Sequence, residues 1–91
     1  MRVVILYRPK SEHARAVETF VHDFRYRHGS TAKLELVDVD EREGVSMAGL
    51  YDIVDYPAFL VTADDGVLVR LWQGQQLPLI DEVASYFVRN Q

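Results

Sequence analysis

Within residues 2–7, RVVILY, the apolar side chains follow one another without interruption, and most are β-branched or long aliphatic. A strand with one face in water alternates apolar and polar residues, so an unbroken run is typical of a strand buried on both faces. Such strands lie in the middle of a sheet. Residues 2–7 therefore predict a central strand in a layered α/β domain.

The next segment predicts a helix and a second strand. From Ser11 to about Arg27 apolar residues recur every three or four positions, and Gly29 follows as the expected C-terminal cap. Residues 33–40, KLELVDVD, then alternate apolar and acidic side chains. Because a helix of about four turns returns the chain to the starting edge, we expect the two strands to be parallel, with a right-handed crossover.

The second half of the chain predicts a weaker helix, a hairpin and a terminal helix. Residues 41–53 contain two glycines, and residues 57–72 place two β-rich runs around a DDG turn. Pro78 opens a helix that extends to about Arg89. The predicted order is β-α-β-α-β-β-α, a mixed four-stranded sheet with helices on both faces. The residues expected to be buried in the weaker helix are Val45, Met47, Leu50, Tyr51 and Ile53.

Composition limits the function classes. Ninety-one residues make a single domain, and ten scattered basic residues against fourteen acidic ones give a net charge of −4, so we expect no nucleic-acid partner. The first apolar run is too short for a signal peptide or a membrane span, so we expect a cytoplasmic protein with no membrane partner. The chain contains no cysteine and can therefore form neither a disulfide nor a thiolate metal site.

Two segments resemble a known family. Residues 36–74 resemble the second half of a thioredoxin, and residues 3–16, VVILYRPKSEHARA, are similar to the start of a glutaredoxin. The resemblance implies a thioredoxin-like fold. It also implies that Ser11 and Ala14 stand where the family has the two cysteines of its Cys-x-x-Cys motif, so that a redox-inactive domain is expected. The matching residues in the second segment are Asp40, Tyr51, Ile53, Pro57, Asp65, Gly66 and Gly74.

Ser11 has two interpretations. It can be the N-cap of the first helix, which is worth about 1 kcal/mol relative to alanine. It can also join Arg8 and Lys10 around an anion at the helix N-terminus, and the resemblance allows a glutathione-like ligand there. A serine nucleophile needs an adjacent general base, but His13, two positions later, does not face it in a helix. We therefore assign no catalytic residue and expect no thiol–disulfide oxidoreductase activity.

Tyr56-Pro57 marks the other half of the predicted site. In the family the proline at this place has a cis peptide bond, and the backbone before it pairs with extended substrate chains; the alternative is a trans proline that starts an edge strand. With a cis bond, Tyr56 is expected beside the Ser11 loop in a groove with an aromatic wall, a basic rim and free backbone groups, suited to an extended peptide. The predicted groove residues are Arg8, Pro9, Lys10, Ser11, His13, Asp55, Tyr56 and Pro57.

The remaining polar residues predict no metal site and no cofactor. His13, His22 and His28 are nine and six positions apart, so no pair has the i, i+4 spacing of zinc-binding helices. The acidic run at 38–43 lacks the alternating ligands of a calcium loop and is expected to be a solvated turn.

Three functions remain open. The first is a module that binds a protein or an extended peptide through the predicted groove. The second is a glutathione or small-thiol binding protein, and the third is a self-associating structural domain that uses Trp72 and an outer strand. For Trp72 itself, packing on the face of the sheet is the alternative to an exposed anchor. We expect a monomer or a weak homodimer.

Overall fold

The computed structural model describes residues 1–29 and 33–88, and it contains a four-stranded mixed sheet with three helices. Their order along the chain confirms the predicted β-α-β-α-β-β-α arrangement. The elements are β1 (Arg2–Tyr7), α1 (Ala14–His28), β2 (Leu34–Asp38), α2 (Arg42–Leu50), β3 (Ala58–Thr62), β4 (Leu68–Gln73) and α3 (Ile80–Val88).

The first strand is central, as its sequence predicts. The strands lie in the order β2-β1-β3-β4, in which β1 is parallel to β2 and antiparallel to β3, and β3 is antiparallel to β4. Residues 3–6 of β1 have no exposed surface. Since a fully buried aliphatic side chain is worth about 1.5–3 kcal/mol, this one strand supplies a large share of the stability.

The side chains of β1 alternate between two cores. Val3 and Ile5 lie in a core between the sheet and helices α1 and α3, where Phe24 is fully buried. Val4 and Leu6 lie in a second core on the other face, which α2 covers. Helices therefore pack on both faces of the sheet. None of the helices in the described ranges is long and apolar enough to cross a membrane.

Helix α1 begins later than predicted. It starts at Ala14, and the N-cap position belongs to His13, whose side chain makes no capping hydrogen bond. Residues 9–13 instead form turns. At the other end Gly29 is the C-cap with φ of +71°, and its N–H donates to the carbonyl of Arg25, as predicted. The predicted end of α3 at Arg89 lies outside the described residues.

The burial predicted for the weaker helix is wrong at two positions. Val45 is 59% exposed and Leu50 is 72% exposed, whereas Met47 and Ile53 are buried as predicted. The difference arises from which side of α2 packs against the sheet. Gly44 and Met47 face inward, three positions apart, so Val45 and Leu50 lie on the outer side of the helix.

Trp72, near the end of β4, packs on the sheet face and is half-buried. Its ring meets Tyr86 edge to face at 5.9 Å between centroids, and the guanidinium of Arg70 lies 4.8 Å from the ring centroid. The indole therefore packs partly on the core and partly against a solvent-exposed cation, as the sheet-face alternative expects.

The two glycines of α2 should respond in opposite ways to alanine. A Cβ at Gly44 would collide with the backbone carbonyl of Asp38, whereas a Cβ at Gly49 meets nothing within 4 Å. We expect Gly44→Ala to destabilise the fold by about 2 kcal/mol or more, since backbone must move to relieve the collision. Gly49→Ala should stabilise it by up to about 1 kcal/mol, because alanine is the better helix former.

Chemical unfolding monitored by circular dichroism measures both effects. Gly49→Ala serves as the matched control for the same change in the same helix. Equal shifts of the two midpoints would contradict the close approach between α2 and the end of β2.

Candidate functional site

Two loops meet at one end of the sheet. Leu6, near the end of β1, pairs with Ala58, the first residue of β3. Because the strands are antiparallel, the chain leaving β1 and the chain entering β3 lie side by side. Residues 8–13 and 54–57 are therefore neighbours, which is the arrangement that the predicted groove requires.

The loop at 8–13 is closed by hydrogen bonds to the backbone of Arg8. The Ser11 hydroxyl donates to the Arg8 carbonyl at 2.7 Å, and the Ser11 N–H donates to the same oxygen at 3.0 Å. The Arg8 N–H in turn donates to Nε2 of His13 at 3.0 Å. The prediction that Ser11 caps α1 is therefore wrong, because its side chain bonds backward into the loop.

The side chain of Arg8 is paired with Asp40. Its Nε and Nη2 donate to the two carboxylate oxygens at 2.9 and 3.2 Å, a bidentate pair that joins the loop to the turn after β2. The hydrogen bond from Arg8 lowers the pKa of Asp40 below its ordinary value. Both side chains are exposed, so salt screens the pair. Arg8 therefore adds no unpaired positive charge to the site, and the basic rim is reduced to the exposed Lys10.

His13 is half-buried at the start of α1. Burial lowers the pKa of its imidazole, and the charge of Arg8 lowers it further. Its Nε2 accepts the Arg8 N–H, which requires the neutral ring. Ser11 and His13 thus both bond to Arg8 rather than to each other, and they do not form a nucleophile and general base.

The loop before β3 is held by Gln73, the last residue of β4. Oε1 of Gln73 accepts the N–H groups of Val54 and Asp55 at 3.1 and 3.2 Å. The Tyr56–Pro57 peptide bond is cis, and the Pro57 carbonyl accepts the N–H of Gly74 at 3.0 Å. No sequence pattern predicts this role of Gln73. The sequence shows only that it directly precedes Gly74.

Asp55 and Tyr56 both make contacts within the domain. Oδ1 of Asp55 accepts the N–H of Tyr56 at 2.9 Å, so this backbone group is not free for a partner chain. Tyr56 is half-buried and packs against the core on the α2 side. Gly74 is required beside them, because its φ is +105° and a Cβ would lie 3.0 Å from a carboxylate oxygen of Asp55.

His13 and Pro57 line one hollow, which we call the first hollow. It has a volume of about 230 Å³ and opens to solvent between α1 and the chain after β4. Of the eight predicted groove residues, only His13 and Pro57 line it; Arg8, Pro9, Lys10, Ser11, Asp55 and Tyr56 do not. The other lining residues, which the sequence did not indicate, are Glu12, Ala16, Gln75 and Leu77.

Chemically, the first hollow combines an apolar floor with polar edges. Pro57, Ala16 and Leu77 provide the apolar surface, and Glu12, Gln75 and the imidazole of His13 provide hydrogen-bonding groups. In the part of the chain that the structure describes, no group of three or more His, Asp or Glu residues could hold a metal ion. The arrangement suits an apolar side chain with a polar end.

Comparison with known structures identifies the fold. A germline-specific thioredoxin of Drosophila melanogaster, Deadhead, matches with a TM-score of 0.68 and 16% identity, over 96% of this chain and 77% of that chain. Thioredoxin 1 of Thermosipho africanus matches with a TM-score of 0.65 and 14% identity, over 99% and 93%. A thioredoxin of Fasciola hepatica matches with a TM-score of 0.66 and 20% identity, over 98% and 79%.

The chain therefore has the thioredoxin fold, and the fold predicted from the resemblance is confirmed. Comparisons with models of protein families and with curated proteins found no match. Because the chain contains no cysteine, it is a thioredoxin-fold domain without the Cys-x-x-Cys motif, and it cannot itself exchange thiols and disulfides.

Removal of the Gln73 side chain should loosen the loop at 54–57. Gln73→Ala deletes the acceptor of two backbone N–H groups, and we expect a loss of about 1–2 kcal/mol in the free energy of unfolding. Amide hydrogen exchange at Val54 and Asp55 should become faster. Gln76→Ala is the control, since Gln76 is exposed and makes no side-chain hydrogen bond among the described residues. Equal losses for the two variants would contradict the assigned role of Gln73.

The stability of the fold should depend on pH through His13. Since the folded state lowers the pKa of this group below its ordinary value of 6.5, the unfolded chain binds the proton more readily. The stabilisation is complete above pH 6.5 and is lost as the pH falls below it. Wild-type unfolding free energy should therefore decrease between pH 7 and 5 more steeply than that of His13→Gln. If the difference in unfolding free energy between the wild type and His13→Gln stays constant from pH 8 to 5, His13 titrates equally in the folded and unfolded states.

Proposed function

We propose that this domain binds an extended segment of another protein at the first hollow, and that it does so without catalysing a reaction. The observation that carries the proposal is the way the surrounding loops are held. Backbone groups of both loops are bound to side chains from the same loop or from β4, through Ser11, His13, Asp55 and Gln73. A surface that is already ordered loses little entropy when a partner binds.

The chemistry of the loop supports binding over catalysis. The Ser11 hydroxyl donates to a backbone carbonyl, and the nitrogen of His13 that could act as a base accepts a backbone N–H. Neither group is directed at the other, and Arg8 is paired with Asp40. These contacts fix the shape of the loop and leave the first hollow as its accessible feature.

The size of the first hollow supports a protein segment as the partner. A volume of about 230 Å³ holds one large side chain, and its apolar floor next to polar edges matches an amphipathic side chain such as tyrosine, methionine or lysine. Because Asp55 already occupies the N–H of Tyr56, the segment does not bind by pairing with that group. Side-chain anchoring in the first hollow provides the affinity instead.

Ala16→Arg tests this function. Ala16 is an exposed residue of α1 that lines the first hollow, so a long side chain there fills the hollow and arginine keeps the helix. Random 12-residue peptides displayed on phage are selected on the wild-type protein, and selected peptides are titrated into labelled protein by NMR. We expect amide shifts at 12–16, 56, 58 and 75–77, and binding about tenfold or more weaker in Ala16→Arg.

Ser46→Arg is the matched control, because it adds the same charge at an exposed position of α2, away from the first hollow. It should bind the peptides as the wild type does. A parallel titration with glutathione separates the small-thiol alternative: shifts confined to residues 8–14 and 55–58 with glutathione, and no peptide selected, would overturn the proposed function.

A further inference from the structure

A second hollow adjoins the first. It has a volume of about 410 Å³ and lies between α1 and residues 77–81, the chain that leads into α3. Ala16 and Leu77 line both hollows. The two hollows therefore form one groove, which begins at Pro57 and continues along the side of α1.

The floor of the second hollow is apolar. Phe20 and Pro78 are buried beneath it, and Leu77 and Ile80 are half-buried. Leu79 lines the same hollow and is 70% exposed, although Pro78 before it is buried and Ile80 after it is half-buried. An apolar side chain bound in this hollow would contact Leu79 and remove part of its surface from water.

The charged residues of the groove are mostly acidic. Glu12 lines the first hollow, and Asp23, Arg27 and Asp81 line the second, which gives three carboxylates against one guanidinium. Asp81 lies 3.8 Å from Nη1 of Arg27 and so compensates the single cation. Within the ranges 1–29 and 33–88, Asp23 and Glu12 make neither an ion pair nor a side-chain hydrogen bond. The groove therefore complements a basic partner.

The geometry of α1 sets the distance between the first hollow and the Asp23 carboxylate of the second hollow. Ten residues separate His13 in the first hollow from Asp23 in the second, which corresponds to about 15 Å along the helix axis. An extended chain advances about 3.3 Å per residue, so it covers this distance in about four or five residues.

We propose that the segment bound at the first hollow continues along this groove and carries a lysine or arginine about four or five residues from its anchoring side chain, where the cation pairs with Asp23. The inference rests on the proposed function, since it assumes that the first hollow holds the anchor. It adds the chemical class of the partner, a segment that combines an amphipathic anchor with a nearby basic residue. Charge-assisted hydrogen bonding to a carboxylate that has no other partner in the described residues provides the recognition.

Asp23→Asn tests the pairing. In the peptides selected on the wild type, alanine scanning first identifies the anchor, and lysine or arginine should then be enriched four or five positions away. Asp23→Asn should weaken such a peptide about two- to fivefold at low salt, and the same peptide with alanine in place of its basic residue should not distinguish the two proteins. Raising the salt concentration should reduce the difference.

Two further variants keep the outcomes distinct. Glu18→Gln removes an exposed carboxylate of α1 that lines neither hollow, and it should bind as the wild type does. Leu79→Ser should weaken peptides whether or not they carry the basic residue. If Ala16→Arg abolishes binding but Asp23→Asn does not change it and no basic residue is enriched, this inference is wrong and the proposed function stands. If no peptide binds, or Ala16→Arg has no effect, both are wrong.

Discussion

The structure depends on the burial of β1 from every side. The strand is hydrogen-bonded to β2 and β3 along its edges and covered by helices on its two faces, and Val3 to Leu6 have no contact with solvent. Each core obtains alternate side chains from this one strand. The position of the site follows from the same strand, because the chain that leaves β1 meets the chain that enters β3 where both become exposed.

The order and type of the elements could be predicted because they follow from local patterns. An unbroken apolar run, a helical period and a DDG turn each specify a structure within a few residues. The exposure of Val45 and Leu50 could not be predicted in this way. A period shows that a helix has two sides but leaves open how the helix is rotated on the sheet, and here the rotation is set by the close approach of Gly44 to the Asp38 carbonyl.

Less of the site than of the fold could be predicted from the sequence. The resemblance located His13 and Pro57, which do share a hollow. Gln73, Gln75 and Leu77 come from a distant part of the chain and carry no motif, so only the folded topology brings them to α1. Ser11 illustrates a different limit, since a serine before a helix can bond forward to the first turn or backward to the preceding loop. The Arg8 carbonyl, held within reach, decides between them.

Positions 11 and 14, where the resemblance places the two cysteines of the Cys-x-x-Cys motif, have structural roles in this protein. Ala14 is 5% exposed and packs in the core, and the Ser11 hydroxyl is part of the hydrogen-bonded frame of the loop. A thiol at position 11 is a weaker donor than the hydroxyl and would weaken one of the two hydrogen bonds that the Arg8 carbonyl accepts, and a larger side chain at position 14 would press into the core. Two cysteines placed at positions 11 and 14 would therefore disturb a hydrogen bond of the loop and the packing of the core, whatever their own reactivity.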